Sequence, residues 1–354
     1  MSDRAQHTSK FLSDNLSGHS SSTYKRMNFR RIWHIVFLLF LVVGTIYVLQ
    51  CRNTETWHEN KGNVFGTYYE VKYLSAEDFH TGLQQELARL DSTFSLFNQE
   101  SLLTRLNSNR TDSTNAMFRD VFVLAQRVNR LTYGALDITI APLVKAWGFG
   151  PNGIGKTPTE TQLDSLRAFV GMDKVSLQHE HLQKTDARVA LDLGAIAKGY
   201  AVDRLAAYLA AQGITNYMVE IGGEVVAHGV NDQGKPWTVG IIEPTTEGAR
   251  LGTIHRVVTL GTGAMATSGN YLNFYQQGAK KVAHTIDPRT AMPIQRNIIS
   301  ATVLAEDCAT ADAFATAFMV LGLDSAQRVL NDNPALRAYL IYLDADGTHK
   351  VFEK

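Results

Sequence analysis

Cysteine is almost missing from this chain: of 354 residues only Cys51 and Cys308 carry a thiol. The body after Cys51 therefore holds one cysteine and no internal disulfide framework, so its fold must rest on a hydrophobic core. Proline is sparse as well, eight residues in all, and nowhere gathers into a Pro-rich linker. There is no internal repeat and no long charge run after residue 60. Lys/Arg and Asp/Glu number 34 each, yet residues 1–51 carry six basic residues against two acidic ones, and the remainder carries 28 against 32. An acidic body lacks the basic face that phosphate neutralisation demands, which excludes a nucleic-acid-binding module. With 45% hydrophobic and 19% charged residues the composition is that of a globular protein.

The basic excess lies just before IWHIVFLLFLVVGTIYVL, residues 32–49, which contain no Asp, Glu, Lys or Arg. This length reaches the lower limit for a spanning helix. Lys25, Arg26, Arg30 and Arg31 on its N-terminal side place the body outside the cytoplasm by the positive-inside rule. Translation from Met27 would instead give a signal peptide ending at Cys51, in the manner of a bacterial lipoprotein, although Gln50 stands where such signals carry a small residue. Lipid anchoring at Cys51 and an uncleaved single-pass anchor both tether the body to the outer face of a membrane. The expected organisation is a polar, basic extension over 1–31, a signal or anchor over 32–50, a linker over 51–62 and one domain over 63–354.

Within that domain, FGTYYEVKYL (65–74) reads as a strand. Phe79, Leu83, Leu87 and Leu90 mark one face of a helix, as do Phe118, Phe122, Ala125 and Val128 over 116–131. Residues 175–192 read as a hairpin with His179 and His181 in its polar middle. A solvated turn explains that H-x-H better than a metal site, since no third ligand is near in sequence. Strands are expected at 216–229, 236–243, 253–261, 281–287 and 298–305, and helices at 309–321 and 324–332. Strands outnumber helices without βαβ alternation, which predicts an α+β fold.

Four stretches carry chemistry. LDLGAIAKGYAVDRLAAYLAAQG (191–213) reads as a strand running through Gly194 into a helix that ends at Gly213, with Ala201, Leu205, Tyr208 and Leu209 facing the core. Its small residues and Lys198 suit either an anion at a helix start or a tight packing corner. TADAFATAFMVLGL (310–323) places Asp312 and Thr316 four apart on one helix face. That is half a site for a hard cation, or a carboxylate placed to suit the helix dipole. VEIGGEVVAHG (219–229) and LGTGAMATSGNY (260–271) offer bare backbone to a flat ring, or simply bulges and turns. HTIDPRTAMPI (284–294) contains the turn signature Asp287-Pro288, but a turn alone requires neither His284 nor Arg289.

Taken with FGTYYEVKY, FSLFNQESLLTRLN and GALDITIAPLVKAWGFG, these stretches run in order over about residues 64–325. In that combination the chain resembles the FAD:protein FMN transferase (ApbE-like flavin transferase) family. The resemblance implies a single α+β domain with mixed or antiparallel sheets and flanking helices, and an exported bacterial enzyme facing the periplasm from the inner membrane. It implies transfer of FMN from FAD to a threonine of an acceptor protein, typically a membrane redox-complex subunit, with release of AMP. Mg²⁺ would be held by the Ala195 carbonyl, Asp312 and Thr316. Lys198 would face the FAD pyrophosphate, and Asp137, Gly222, Ser268, His284 and Ile286 would line the flavin nucleotide. Where the family usually has Gly this chain has Ala291, which bears on the turn shape. Where it often has Asn or Asp this chain has Glu224, which bears on ligand contacts.

Attack of a hydroxyl on an anionic pyrophosphate is opposed by charge, so a metal and a lysine beside the phosphates stabilise the transition state. His284 is the expected base, because an unperturbed imidazole titrates near about pH 6.5. Arg289 either pairs with Asp287 or meets nucleotide. Two rival readings are a metal-dependent FAD pyrophosphatase and a non-catalytic flavin-binding lipoprotein. The joint presence of His284, Asp312 and Thr316 favours an enzyme over the second.

Overall fold

The computed structural model describes residues 29–52, 54–150, 157–270, 274–277 and 280–354, and it divides into two units between Thr54 and Glu55. The described part of the first unit is helix α1 (Phe29–Arg52). Its stretch Phe29–Leu49 is long and apolar enough to cross a membrane, and none of it is buried.

The second unit opens on a hairpin of β1 (Thr56–Val64) and β2 (Thr67–Ser75), turned at Phe65 and Gly66 with φ of 52° and 76°. Strand β1 corrects the expected linker over 51–62. Its sequence TWHENKGNV is polar, but every residue pairs with β2, from Thr56 opposite Ser75 to Val64 opposite Thr67. An edge strand with a solvated side needs little apolar signal.

Helices α2 (His80–Phe94), α3 (Leu102–Asn107) and α4 (Ala116–Leu131) follow. Helix α2 buries Leu83, Leu87 and Leu90. Helix α4 starts where the Asn115 side chain accepts the Phe118 N–H at 2.9 Å. After a 3₁₀ turn at Ile138–Ile140 come α5 (Ala141–Ala146) and α6 (Glu160–Arg167). The hairpin expected over 175–192 is shorter, with β3 (Val175–Gln178) and β4 (His181–Lys184). His179 sits at its turn with φ 57°. Residues 185–196 form no strand, although one was expected to run through Gly194. Asn107 takes the part of a neighbouring strand there, donating Nδ2–H to the Leu191 carbonyl (2.8 Å) and accepting the Leu191 N–H (2.7 Å).

Helix α7 (Ala197–Ala211) then leads into β5 (Tyr217–Ile221) and β6 (Glu224–His228), joined by a two-glycine turn. Next come β7 (Thr238–Ile242), α8 (Thr246–Leu251), β8 (Ile254–Thr259) and β9 (Gly263–Gly269). The short strands β10 (Phe274–Gln277), β11 (Lys280–Ala283), β12 (Ile286–Asp287) and β13 (Met292–Pro293) make two small hairpins. The chain closes with β14 (Ile298–Ala305), α9 (Cys308–Leu321), α10 (Leu323–Asp332), β15 (Arg337–Leu343) and β16 (His349–Glu353).

One eight-stranded sheet organises the unit, in the order β1-β2-β5-β6-β9-β14-β15-β16, with every neighbouring pair antiparallel. The α+β expectation therefore holds, and the sheet is of the antiparallel kind. Helix α7 packs over β5 and β6 and helix α9 over β9 and β14. In α9 every residue but Thr310 and Thr316 is buried, so the helix is apolar nearly all round, as a core helix must be. Small residues on both sides of that contact, Ala264, Ala266 and Ala301 on the sheet and Ala313 and Ala317 on the helix, are fully buried.

Helices α7 and α9 touch almost backbone to backbone at Gly199. A Cβ there would lie 2.3 Å from the Cys308 carbonyl oxygen and 2.8 Å from the Ala309 Cα. Gly199→Ala is accordingly expected to destabilise the fold by about 1–3 kcal/mol through overpacking. Urea denaturation would show it as a lower midpoint with an unchanged slope.

Candidate active site

Helix α7 is capped at its start by a distant side chain. With Ile196 at the N-cap, its carbonyl accepting the Tyr200 N–H at 3.0 Å, Gly199 carries one of the N–H groups that a helix start leaves without an intrahelical partner. It donates to Asp312 Oδ2 at 3.1 Å, and no hydrogen bond among the described residues reaches the carbonyl of Ala195, just before the helix. Asp312, buried within the apolar α9, is stabilised by that N–H and by Lys198, whose Nζ stands 3.5 Å from Oδ2. The same ammonium donates to Glu224 Oε1 at 2.8 Å. Burial draws the Lys198 ammonium down, but Asp312 and Glu224 outweigh it and hold its pKa above the ordinary value. Glu224, at the start of β6, is pushed up by burial and by Asp312 against the pull of Lys198.

One turn along α9, Thr316 Oγ1 lies 3.0 Å from Ser268 Oγ on β9. The structure thus joins Lys198, Asp312 and Glu224 in one group and Ser268 and Thr316 in a second, with Asp312 and Thr316 one turn apart on α9. Asp203, also on α7, accepts the N–H groups of Cys308 and Ala309 at 2.8 Å each. It fastens the start of α9 to α7, and burial raises its carboxyl to about 7.

Asn270 Oδ1 accepts the Thr285 hydroxyl at 3.0 Å, and Thr285 is the neighbour of His284. The imidazole is half-buried, with its ring centroid 6.4 Å from that of Phe149 in an edge-on contact. Ile286 is buried with Leu143, Trp147 and Ala291 in a small apolar cluster, so its side chain serves packing.

The bend that follows is built by Asp287. Its carbonyl accepts the Ala291 N–H at 2.8 Å, and its carboxylate, buried, takes a two-point pair from Arg289 at 2.8 Å for each contact. Of the two partners expected for Arg289, the guanidinium pairs with Asp287 in this structure. Ala291 adopts φ 60°, the left-handed conformation that glycine takes without cost.

Burial pushes the Asp287 carboxyl up, but Arg289 and then Arg296 prevail and hold it below the usual carboxylate value. A lowered folded pKa means that this stabilisation is complete above the unfolded value, about 3.9. It is lost as pH falls through the folded value. Arg289→Ala should cost about 1–3 kcal/mol at neutral pH. The difference from the unaltered protein should shrink as pH is lowered past 4, measured as melting temperature against pH.

A cleft of about 470 Å³ lies beside this bend and is lined by Asn129, Gly134, Asp137, Gly171, Pro288 and Arg289 among others. Asp137 faces it with both oxygens engaged. Oδ1 accepts the Thr139 N–H and hydroxyl (2.8 and 2.6 Å), and Oδ2 accepts the Met172 N–H (3.1 Å). Gly222 forms the β5–β6 turn with φ 61°, and a Cβ there would meet Thr67 at 2.8 Å. No hydrogen bond or ion pair among the described residues joins Asp137, Gly222 or Ile286 to the Lys198 group. Sequence reasoning named Glu224 only as a departure from the family pattern, without its pairing to Lys198, and did not single out Asp192, whose Oδ1 accepts the Gly194 N–H at 2.8 Å. The D-x-G spacing was the available signal for Asp192. His179 and His181 belong to no group of three potential metal ligands among the described residues.

The flavin transferase ApbE from Vibrio cholerae shares this architecture with a TM-score of 0.77 and 34% identity, over 85% of this chain and 97% of that one. The apo flavinyl transferase ApbE of Pseudomonas stutzeri does so with a TM-score of 0.75 and 28% identity, over 84% and 95%. The fold is that of the flavin transferases. In sequence, the FAD:protein FMN transferase of Haemophilus influenzae is 40% identical over 87% of this chain and 93% of its own length. That of Vibrio cholerae is 36% identical over 83% and 90%. The profile of the ApbE family matches residues 65–340, and the chain belongs to that family.

Proposed function

We propose that this protein transfers the FMN half of FAD to a threonine hydroxyl of an acceptor protein, forming a phosphoester and releasing AMP, with Mg²⁺ as cofactor. The observation that carries the reading is the buried Asp312 carboxylate, which accepts the Gly199 N–H across the α7–α9 contact and stands one turn from the Thr316 hydroxyl, with the unbonded Ala195 carbonyl four residues before Gly199. Three hard oxygens, two on α9 and one in the turn before α7, suit Mg²⁺, which takes few protein ligands and completes its shell with water and substrate phosphates. When bound there, the ion would offset charge on the pyrophosphate oxygens.

The chain's own residues supply the rest. Lys198 stands next to the same oxygens and contributes a fixed positive charge. Ser268 holds Thr316 in orientation. His284 accepts the proton of the incoming threonine, and the Asp287–Arg289 pair and the Asn270–Thr285 bond keep the strand end that carries it in place. Asp137, Gly222 and the backbone at Ile286 shape the flavin side of the site. Helix α1 and the basic residues before it support a membrane-tethered enzyme on the periplasmic face of a bacterial inner membrane, by a single-pass anchor or by lipid at Cys51. That address suits a redox-complex subunit as acceptor.

Mass spectrometry of a threonine-containing acceptor subunit incubated with the full chain, FAD and Mg²⁺ tests the reading. The expected product is one esterified FMN on threonine with an equal amount of AMP. Free FMN and AMP with no adduct would instead identify a pyrophosphatase.

A further inference from the structure

The Lys198 group contains one oxygen that the proposed chemistry does not use. Glu224 is 2% exposed, its Oε1 accepts from Lys198, and its Oε2 is buried with no hydrogen-bond partner. An unsatisfied buried carboxylate oxygen costs on the order of 1–3 kcal/mol or more, and native structures keep few such atoms without a reason. The charges nearby are equally unbalanced. Two buried carboxylates, Glu224 and Asp312, share a single ammonium. A site with one positive charge too few and one oxygen too many is prepared for a cation.

We infer that Glu224 belongs to the divalent-cation site and contributes its Oε2 to the bound ion or to that ion's water. This rests on the proposed function for the presence of a cation and adds a residue to its set. Lys198 then has a second effect. By occupying Oε1 it holds the carboxylate in one orientation and leaves Oε2 unpaired, as partners of metal-binding carboxylates do.

The simpler role for Glu224 is to neutralise Lys198, and the test must separate the two. Mn²⁺ serves as the probe. Its binding to the full chain is followed by loss of the free-ion electron paramagnetic resonance signal, with no flavin present. Glu224→Gln alone is ambiguous, because it leaves Lys198 unpaired and repelling the ion. In a Lys198→Met background that repulsion is gone, so the double-substitution cycle isolates the glutamate itself.

The expected result is that adding Glu224→Gln to Lys198→Met still weakens Mn²⁺ binding by about 10–100-fold, with the folded state verified by circular dichroism. Equal Mn²⁺ affinity with and without Glu224→Gln in that background overturns the inference and leaves the glutamate as a charge partner only. Should the glutamine variant fail to fold, Glu224→Asp withdraws the oxygen by one methylene at constant charge. It is expected to weaken Mn²⁺ in the same assay, and unchanged affinity there overturns the inference equally. Absence of Mn²⁺ binding by the unaltered chain would overturn the cation site as a whole, an outcome distinct from loss of Glu224 alone.

Discussion

Replacing His284 by alanine is expected to leave FAD binding near its unaltered level while FMN transfer falls by about 10²–10⁴-fold, the usual contribution of a positioned general base. The expectation follows from where the side chain sits. It stands at the junction of β11 and β12, half-buried, with its ring edge-on to Phe149. Its neighbour Thr285 is bonded to Asn270, one residue beyond the end of β9. The strand end is held by backbone and by the Asp287–Arg289 pair, so truncating the ring removes a proton acceptor without dismantling its surroundings. Flavin fluorescence titration measures the binding, and single-turnover transfer to acceptor threonine measures the chemistry. Transfer at the unaltered rate would place the base elsewhere. Parallel loss of FAD affinity would make His284 a binding residue.

Asp312→Ala should abolish transfer at ordinary Mg²⁺ and regain part of it when Mg²⁺ is raised well above the level that saturates the unaltered enzyme. Apart from Glu224, inferred above, the carboxylate is the one charged group among the proposed cation ligands, so its loss weakens the ion's hold while sparing the Thr316 hydroxyl and the Ala195 carbonyl. The fold should tolerate the change, because alanine suits the apolar α9 and Lys198 keeps its shorter contact with Glu224. Asp312→Asn refines the test. It keeps an oxygen for the Gly199 N–H and removes only charge, so a matching loss of Mg²⁺ response would trace the effect to the cation and not to the α7–α9 contact. A Mg²⁺ dependence identical to that of the unaltered enzyme in both variants would sink the site.

Much of this was legible because periodicity survives in sequence. The faces of α2 and α4, the bounds of β14 and the spacing of Asp312 and Thr316 follow from local pattern, and the family resemblance covered the order of the motifs. What escaped depends on distant partners. Strand β1 reads as polar chain until β2 is laid beside it. Residues 185–196 looked strand-like, yet Asn107, some eighty positions earlier, supplies the bonds a strand would have supplied. Glu224 read only as a departure from pattern, because its burial against Lys198, 26 residues away, is a product of the sheet. Arg289 stayed open between two partners that only coordinates could separate.

The closeness of α7 and α9 at Gly199 bears on which ion the site accepts. The Ala195 carbonyl lies two residues before α7 and Asp312 and Thr316 stand on α9, so the backbones that carry the proposed ligands meet at Gly199 with no side chain between them. A loop of flexible carboxylates widens for a larger ion; two helices in contact cannot without parting. On this reading discrimination against Ca²⁺, which seeks six to eight oxygens at about 2.3–2.6 Å against about 2.0–2.1 Å for Mg²⁺, is set by a missing methyl group on a residue that never touches the ion.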